Sequence, residues 1–268
     1  MPPLDPILIS DADDPRIAVF TALQERDRIG RDGVFIAEGA TVLTVLLNSA
    51  LVTDAILIEE GRVPRLPVLA SRGNAPLYVA PQGVLDRIAG YHLHRGILAA
   101  GRIPPAVDVA ALPAGPLRLP VLVGLSNHDN VGGIYRNAAA FGASAVAIDA
   151  TTANPFYRKA IRVGVGAPLI VPTLRTADVA ALLAALAAAG ITPYALTPAA
   201  PAALHETALA PRAAFLLGTE GPGLPDTLIA AATPLSIAIA PGFDSLNVAT
   251  TSGIVLAAHA AQHGLPPA

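Results

Sequence analysis

Three glycine-bearing segments in the second half of the chain carry the polar residues best spaced for chemistry. The first is Asn127-His128-Asp129-Asn130-Val131-Gly132-Gly133-Ile134-Tyr135-Arg136-Asn137-Ala138-Ala139-Ala140-Phe141-Gly142. It follows an apolar run and opens a helical pattern, which puts backbone N–H groups at the carboxyl edge of a sheet, a natural anion site. Gly132 and Gly133 in its first turn each cost the helix roughly 1 kcal/mol, which suggests close approach by another chain or a ligand. Arg136 lies one turn beyond Gly132 on the same face. An amphipathic helix with a solvated arginine fits the same residues. The second segment, Phe215-Leu216-Leu217-Gly218-Thr219-Glu220-Gly221-Pro222-Gly223-Leu224, runs an apolar strand into a turn with one acid. The third, Ile237-Ala238-Ile239-Ala240-Pro241-Gly242-Phe243-Asp244-Ser245-Leu246-Asn247-Val248-Ala249, ends a strand in a Pro-Gly loop where Ser245 or Asn247 can cap the last helix. Taken singly, each is also an ordinary turn or cap.

These segments need a scaffold, and the hydrophobic pattern supplies one. After Pro116 the pattern predicts strands at Val121–Leu125, Ala145–Ile148, Leu169–Val171, Tyr194–Leu196, Ala214–Leu217 and Ser236–Ile239. Helices fall between and after them at Asp129–Phe141, Pro155–Val163, Ala177–Ala189, Pro225–Ala231 and Leu246–Ala261. That alternation argues for a mostly parallel sheet covered on both faces. Earlier in the chain, strands at Val34–Ala37, Ala55–Ile58, Leu77–Ala80 and Gly96–Ala100 alternate with helices at Asp14–Leu23, Ala40–Ala50 and Gln82–Ala89. Pro and Gly between Ile103 and Pro116 mark a boundary. The expected organisation is therefore a small α/β domain over 1–105, a linker over 106–117 and a larger α/β domain over 118–268.

Composition narrows the chemistry. The 268 residues are 53% hydrophobic and 14% charged, enough for a true core and unlike a disordered chain. There is no cysteine, which excludes disulfides, thiolate metal sites and thiol nucleophiles. The six histidines show no metal-ligand spacing, so no metal is expected. The N-terminus lacks a basic segment followed by an apolar one, and the apolar stretch Val179–Ala189 is far short of the ~20 residues a membrane helix needs. A cytoplasmic protein with no membrane association is the expectation. The net charge of −3 counts against a polyanionic partner. Ten arginines face thirteen acids over residues 1–115, and seven basic residues face seven acids beyond them, so nucleic-acid contacts would have to come from local clusters.

Together, in this order, the three segments resemble the motifs of the SpoU (TrmH) family of RNA 2′-O-ribose methyltransferases, in the SPOUT superfamily. Asn130, Gly132 and Arg136 match the spacing of its first motif. Gly218, Glu220, Gly221 and Gly223 match the second, and Ser245-Leu246-Asn247-Val248 the third. The likeness spans roughly residues 118–262. Gly33-Val34-Phe35-Ile36-Ala37-Glu38-Gly39 and His94-Arg95-Gly96-Ile97-Leu98-Ala99 also resemble the family's ribosomal-protein-like substrate-binding domain. The chain departs from the pattern at Ala238, where a proline is usual, and at Pro241, where a glycine is usual; Gly242 follows one position late.

The resemblance implies a trefoil knot in the C-terminal domain, a homodimer with a shared catalytic site, and S-adenosyl-L-methionine as cofactor. It places the cofactor near Gly218, Glu220, Ile237, Ile239 and Leu246. It gives Arg136, Asn130, Glu220, Ser245 and Asn247 to catalysis. Arg136 fits a clamp on phosphate or a developing alkoxide better than a base, because arginine keeps its proton at any ordinary pH. Glu220 is expected to orient it by a bidentate pair. Arg158, Lys159 and Arg162 are the basic set expected to meet RNA, with ribosomal RNA favoured over transfer RNA. The last helix supports a dimer loosely, since Ile254-Val255-Leu256-Ala257-Ala258 leaves little polar face.

Two other readings compete. A nucleotide-binding oxidoreductase needs G-x-G-x-x-G after its first strand; Gly164-Val165-Gly166-Ala167-Pro168-Leu169 starts that way but has Leu169 at the third glycine and follows a helix. A non-catalytic RNA-binding protein on the same scaffold would not need Asn130, Arg136, Glu220, Ser245 and Asn247 together.

Overall fold

A computed structural model describes residues 5–21 and 33–266, which form two compact units. The first unit comprises residues up to Pro105 together with Phe156–Ile170. Its sheet contains β1 (Ile7–Leu8), β2 (Val34–Glu38), β3 (Thr53–Glu59), β4 (Leu77–Ala80) and β5 (Ile97–Arg102), in the order β1-β4-β3-β5-β2. β4 runs parallel to β1 and β3, whereas β5 runs antiparallel to β2 and β3. The strands read as continuous apolar runs because both faces are covered. Phe35, Ile56 and Ile58 face the helix α2 (Ala40–Leu47), while Ile36 and Leu57 face Phe20 and the helix α3 (Gln82–Ala89). Before them comes α1 (Ala18–Thr21); Leu23, the expected end of that helix, lies outside the described residues.

Residues 156–170, which the sequence reading places in the second domain, pack into the first. Phe156, Ile161 and Leu169 are buried in the α2-side core, and the Phe156 ring stacks on Phe35 with centroids 6.3 Å apart. The helix α5 (Arg158–Val163) carries Ile161 there. Gly166, at φ +84°, allows close approach to α2: a Cβ on it would meet the Val45 Cβ at 2.9 Å. The Gly164–Gly166 stretch is therefore a packing turn.

The second unit holds a six-stranded, wholly parallel sheet: β6 (Leu117–Leu122), β7 (Val146–Ile148), β8 (Thr173–Arg175), β9 (Thr192–Leu196), β10 (Arg212–Leu217) and β11 (Thr233–Leu235). Its order is β11-β9-β10-β6-β7-β8. The helices α6 (Val179–Ala188) and α7 (Asp226–Ala230) cover one face through Leu182, Leu183, Leu186 and Leu228. On the other face α8 (Val248–His263) packs Val255 and Leu256 against Phe215 and Leu235. The helix α4 (His128–Ala140) lies against α8. Among the described residues no helix is long and apolar enough to cross a membrane.

Three local readings change. Residues 106–117 are part of this unit: the Val107 N–H donates to Thr173 O at 2.9 Å, and Val107, Val109 and Leu112 pack on the core. The strand expected at Leu169–Val171 is a 3-10 turn over Ala167–Leu169, with Pro168 in its first turn; the strand starts only after Pro172. The strand expected at Ser236–Ile239 is already over at Leu235. β11 is an edge strand whose one neighbour among the described residues, β9, ends at Leu196, and beyond it the pairing reduces to a single bridge from Ser236 to Ala203.

A buried arginine ties this unit together through carbonyl and imidazole acceptors. Arg118, 2% exposed at the start of β6, donates its Nε to His259 Nδ1 at 3.1 Å, one Nη to Phe141 O and the other to Gly264 O at 2.6 Å. Phe141 and Gly264 cap the C-termini of α4 and α8, where the helix dipoles present negative charge. Because Arg118 donates to Nδ1, His259 is neutral and carries its proton on Nε2, which donates to Ala210 O at 3.0 Å. Burial, reinforced by the Arg118 charge and His263, pulls this imidazole down from 6.5 to about 4. The unfolded chain takes up the proton near pH 6.5 and the folded protein only near 4. The contribution of neutral His259 is thus full above pH 6.5 and is lost as pH falls toward 4, a loss of about 3 kcal/mol. The urea midpoint is expected to drop across that interval, and to drop less in His259→Asn, which keeps an acceptor for Arg118.

Candidate active site

The loop between β6 and α4 is fixed from below by Asp149, which stands just past β7. Its carboxylate accepts from the N–H of Gly124 at 3.1 Å and of Thr152 at 2.7 Å, and from the hydroxyls of Thr151 and Thr152 at 2.8 and 2.6 Å. Burial opposes the charge, but these donors outweigh it and hold the carboxyl below its ordinary value. Asn127 then caps α4, its Oδ1 accepting from the Asp129 N–H at 2.9 Å. The helix start this fixes aims Asn130 at the other two glycine-bearing segments.

Asn130, Glu220 and Asn247 close a ring of hydrogen bonds. Asn247 Oδ1 accepts from the N–H groups of Ala249 and Thr250 at 2.9 and 3.2 Å, capping α8. Its Nδ2 is thereby turned outward, donating to Asn130 Oδ1 at 2.9 Å and Glu220 Oε1 at 3.2 Å. Asn130 Nδ2 donates to the same Glu220 oxygen at 2.8 Å. Each amide is oriented by what the next must receive, so the ring has one consistent assignment. Asn137, about two turns further along α4, donates to Ala249 O at 2.7 Å, and Gly133 leaves room for the Ala249 methyl, whose carbon would stand 2.9 Å from a Cβ there. Gly133 thus serves the close approach of α8 to α4.

Beside this ring, at the carboxyl ends of β9, β10 and β11, lies a cavity of about 410 Å³. Gly218, Glu220, Ile237, Ile239 and Leu246, expected at a cofactor, all line it, as does Ser245. Leu196, Leu217 and Leu235 add apolar wall, and Thr197, Thr251 and Asp244 add polar groups that no sequence pattern singled out. Ile237 and Ile239 reach the cavity because the chain has left the sheet. Beyond them Gly242, at φ +90°, makes the left-handed turn of the loop, one position after Pro241. Gly218 is needed by its own loop: a Cβ there would lie 2.5 Å from Gly223 C and 2.6 Å from Leu224 N.

Arg136 does not meet Glu220. Six residues past Asn130, it is about 120° round the helix and ~9 Å along it. It is exposed, absent from the cavity wall, and makes no hydrogen bond or ion pair among the described residues. Of the two Glu220 oxygens that the expected bidentate pair would use, Oε1 is taken by the two asparagines. In the first unit, Arg158 and Arg162 converge on Glu38, a 5% exposed carboxylate, at 2.9 and 3.9 Å; Lys159 lies between them in the helix.

The model of the SpoU rRNA Methylase family matches residues 118–257, more than half of the chain and all of the ring. The chain belongs to this family. A Mycobacterium bovis relative, described as an uncharacterized tRNA/rRNA methyltransferase, is 38% identical over 260 residues, covering 92% of this chain and 88% of the relative. Among solved structures, an RNA 2′-O ribose methyltransferase superposes with a TM-score of 0.79 at 26% identity, covering 96% of this chain and 99% of that one. The S-adenosylmethionine-bound rRNA methyltransferase of Sinorhizobium meliloti shares the fold, with a TM-score of 0.83 at 20% identity over 96% of this chain and 98% of that one.

In this SpoU family member the Gly218 loop closes on itself, so Gly218→Val is expected to cost roughly 1–3 kcal/mol through overpacking. Urea unfolding of the variant beside the parent measures it; an unchanged midpoint would mean that the loop gives way freely.

Proposed function

We propose that the chain transfers a methyl group from S-adenosyl-L-methionine to a ribose 2′-hydroxyl of structured RNA, ribosomal RNA before transfer RNA. The observation that carries this reading is the cavity with the Asn130–Glu220–Asn247 ring on its flank. About 410 Å³ falls within the range of small-ligand sites, and the apolar wall of Leu217, Leu235, Ile237 and Ile239 suits a flat adenine. Glu220 and Asp244 suit the cationic end of the cofactor. Bound there, the cofactor supplies an electrophilic methyl carbon on a sulfonium.

Transfer forms one oxygen–carbon bond as the carbon–sulfur bond breaks; the cofactor departs as a neutral thioether and the hydroxyl proton passes to water. The residues of this chain supply position rather than a strong base. Asn130 and Asn247 hold the loops that shape the cavity, and Glu220 keeps Oε2 without a hydrogen bond among the described residues. Ser245 stands on the cavity wall and can meet substrate. Holding hydroxyl and methyl in line supplies much of the rate.

Arg136 is the clamp in this reading, acting on phosphate or on the developing alkoxide. Its exposure and its distance from Glu220 support a site completed by a second copy of the chain, in a homodimer. Phe243, Leu246 and Ile254, 76%, 37% and 37% exposed, are apolar surface such a partner would cover. The reading also includes a trefoil knot through the loops around the cavity.

Arg136→Ala is expected to slow single-turnover methyl transfer about a hundred- to thousand-fold, or ~2.7–4 kcal/mol, with cofactor affinity nearly unchanged. Arg136→Lys is expected to do little better, because a point charge lacks the planar fork. Parent-like turnover in Arg136→Ala would remove the residue from catalysis. Light scattering is expected to give twice the chain mass at micromolar concentration; a fully active monomer would sink the shared site.

A further inference from the structure

The polar side chains of the cavity share one electrical character. Among the described residues on its wall there is no lysine, arginine or histidine, while Glu220 and Asp244 bring two carboxylates. Two threonines add to this. Thr219 Oγ1 donates to Gly223 O at 3.3 Å, and Thr251 Oγ1 donates to Asn247 O at 3.2 Å. A hydroxyl has one proton, so with it committed each oxygen is left only to accept. Asp244 makes no hydrogen bond or ion pair among the described residues, so both its oxygens are open to a ligand. The local sequence brings it there. Pro241 and Gly242, the latter at φ +90°, hold the central positions of a turn closed by the Phe243 N–H, which donates to Ala240 O at 3.3 Å. Proline followed by a positive-φ glycine is the pattern of a type II turn. The reversal leaves Phe243 76% exposed and sets Asp244 on the cavity wall. The departure from the family pattern at Pro241 and Gly242 thus builds the turn that presents this carboxylate.

A wall of acceptors with no cation on it favours a positive ligand over a neutral one of the same shape. The methyl donor and its demethylated product differ by one such charge. Sulfur is a sulfonium before transfer and a neutral thioether after it, while the amine and carboxylate of the ligand are the same in both. We propose that Asp244, together with Glu220, is a specificity-determining residue that selects the sulfonium form, so that methyl transfer itself discharges the ligand and loosens its hold. The proposal rests on the reading of this cavity as the S-adenosylmethionine site and deepens it. Both carboxylates are exposed, so each gives the modest preference of a screened ion pair, about 1.5-fold to 5-fold. The two compound to about 2-fold to 25-fold. The sulfonium charge is already spreading as the transfer proceeds, so a group that holds it in the ground state adds nothing to the rate of the step.

The test is calorimetric titration of the full chain with three ligands: S-adenosylmethionine, its demethylated product, and an analogue carrying a protonated amine in place of the sulfonium. The parent is expected to bind the two cationic ligands about 2-fold to 25-fold more tightly than the product. Raising salt from about 50 mM to about 500 mM is expected to weaken the cationic pair and leave the product unaffected. Asp244→Asn, which keeps the shape and removes the charge, is expected to narrow the gap about 1.5-fold to 5-fold by weakening the cationic ligands alone. Asp244→Lys is expected to close or invert it. Both substitutions fall on an exposed turn, and their urea midpoints are expected to match the parent. Single-turnover transfer by Asp244→Asn at saturating S-adenosylmethionine is expected to run at the parent's rate. Equal affinity of the parent for donor and product would overturn charge selection alone, as would an unchanged ratio in both variants. A collapse of the saturated rate in Asp244→Asn would make the residue part of the transfer step and overturn its assignment to selection. No binding of any of the three ligands would overturn the reading of the cavity as the cofactor site, and this proposal with it.

Discussion

One carboxylate oxygen of Glu220 receives two amide donors, and on that junction the geometry of the cavity depends. Asn130 brings the start of α4, Asn247 brings the start of α8, and Glu220 brings the loop after β10. Hydrogen bonds to a charged acceptor are the stronger kind, and an amide deprived of its partner here loses more than one bond. Asn247 cannot turn away, because its carbonyl caps α8. Asn130 is 6% exposed and has little room to rotate. Three stretches separated by up to 117 residues are thereby held to within hydrogen-bond tolerance of one another.

Below the ring, the same logic recurs with opposite charge. Arg118 gathers the C-terminal carbonyls of α4 and α8, while Asn127 and Asn247 cap their N-termini. Both helices are therefore fastened at each end. Gly133 and the Asn137 amide bring them into contact in between. Such double fastening suits helices whose first turns must aim side chains into a site.

Much of this was legible in the sequence where a residue's role is local. Ser245 or Asn247 read as the cap of the last helix from their place before it, and Asn247 is the one that caps it; Leu77–Ala80 and Gln82–Ala89 read correctly because both-face burial and amphipathic spacing leave plain patterns. The residues lining the cavity were reached only through family resemblance, since Ile237 and Ile239 look like any strand. That they leave the sheet follows from where the neighbouring strand stops, which no local window contains. The Glu220 partners were misread for a similar reason: helix rotation separates Arg136 from Asn130, and the charge on arginine outweighed two neutral amides in the expectation. Arg118 and His259 gave no signal at all, being 141 residues apart and isolated among apolar neighbours.

The segment Phe156–Ile170 has a further meaning for how the chain can be cut or recombined. The first unit is finished by residues encoded far downstream, with fifty residues of the second unit, Ala106–Pro155, threaded between its parts. A chain stopped at Pro105 would leave Phe35, Leu43 and Leu46 without Phe156, Ile161 and Leu169 over them, an uncovered apolar face prone to association. The amino-terminal unit is therefore not a detachable cassette. Swapping it between relatives at the apparent boundary would transplant a sheet without part of its own cover, so the two units are constrained to be inherited together.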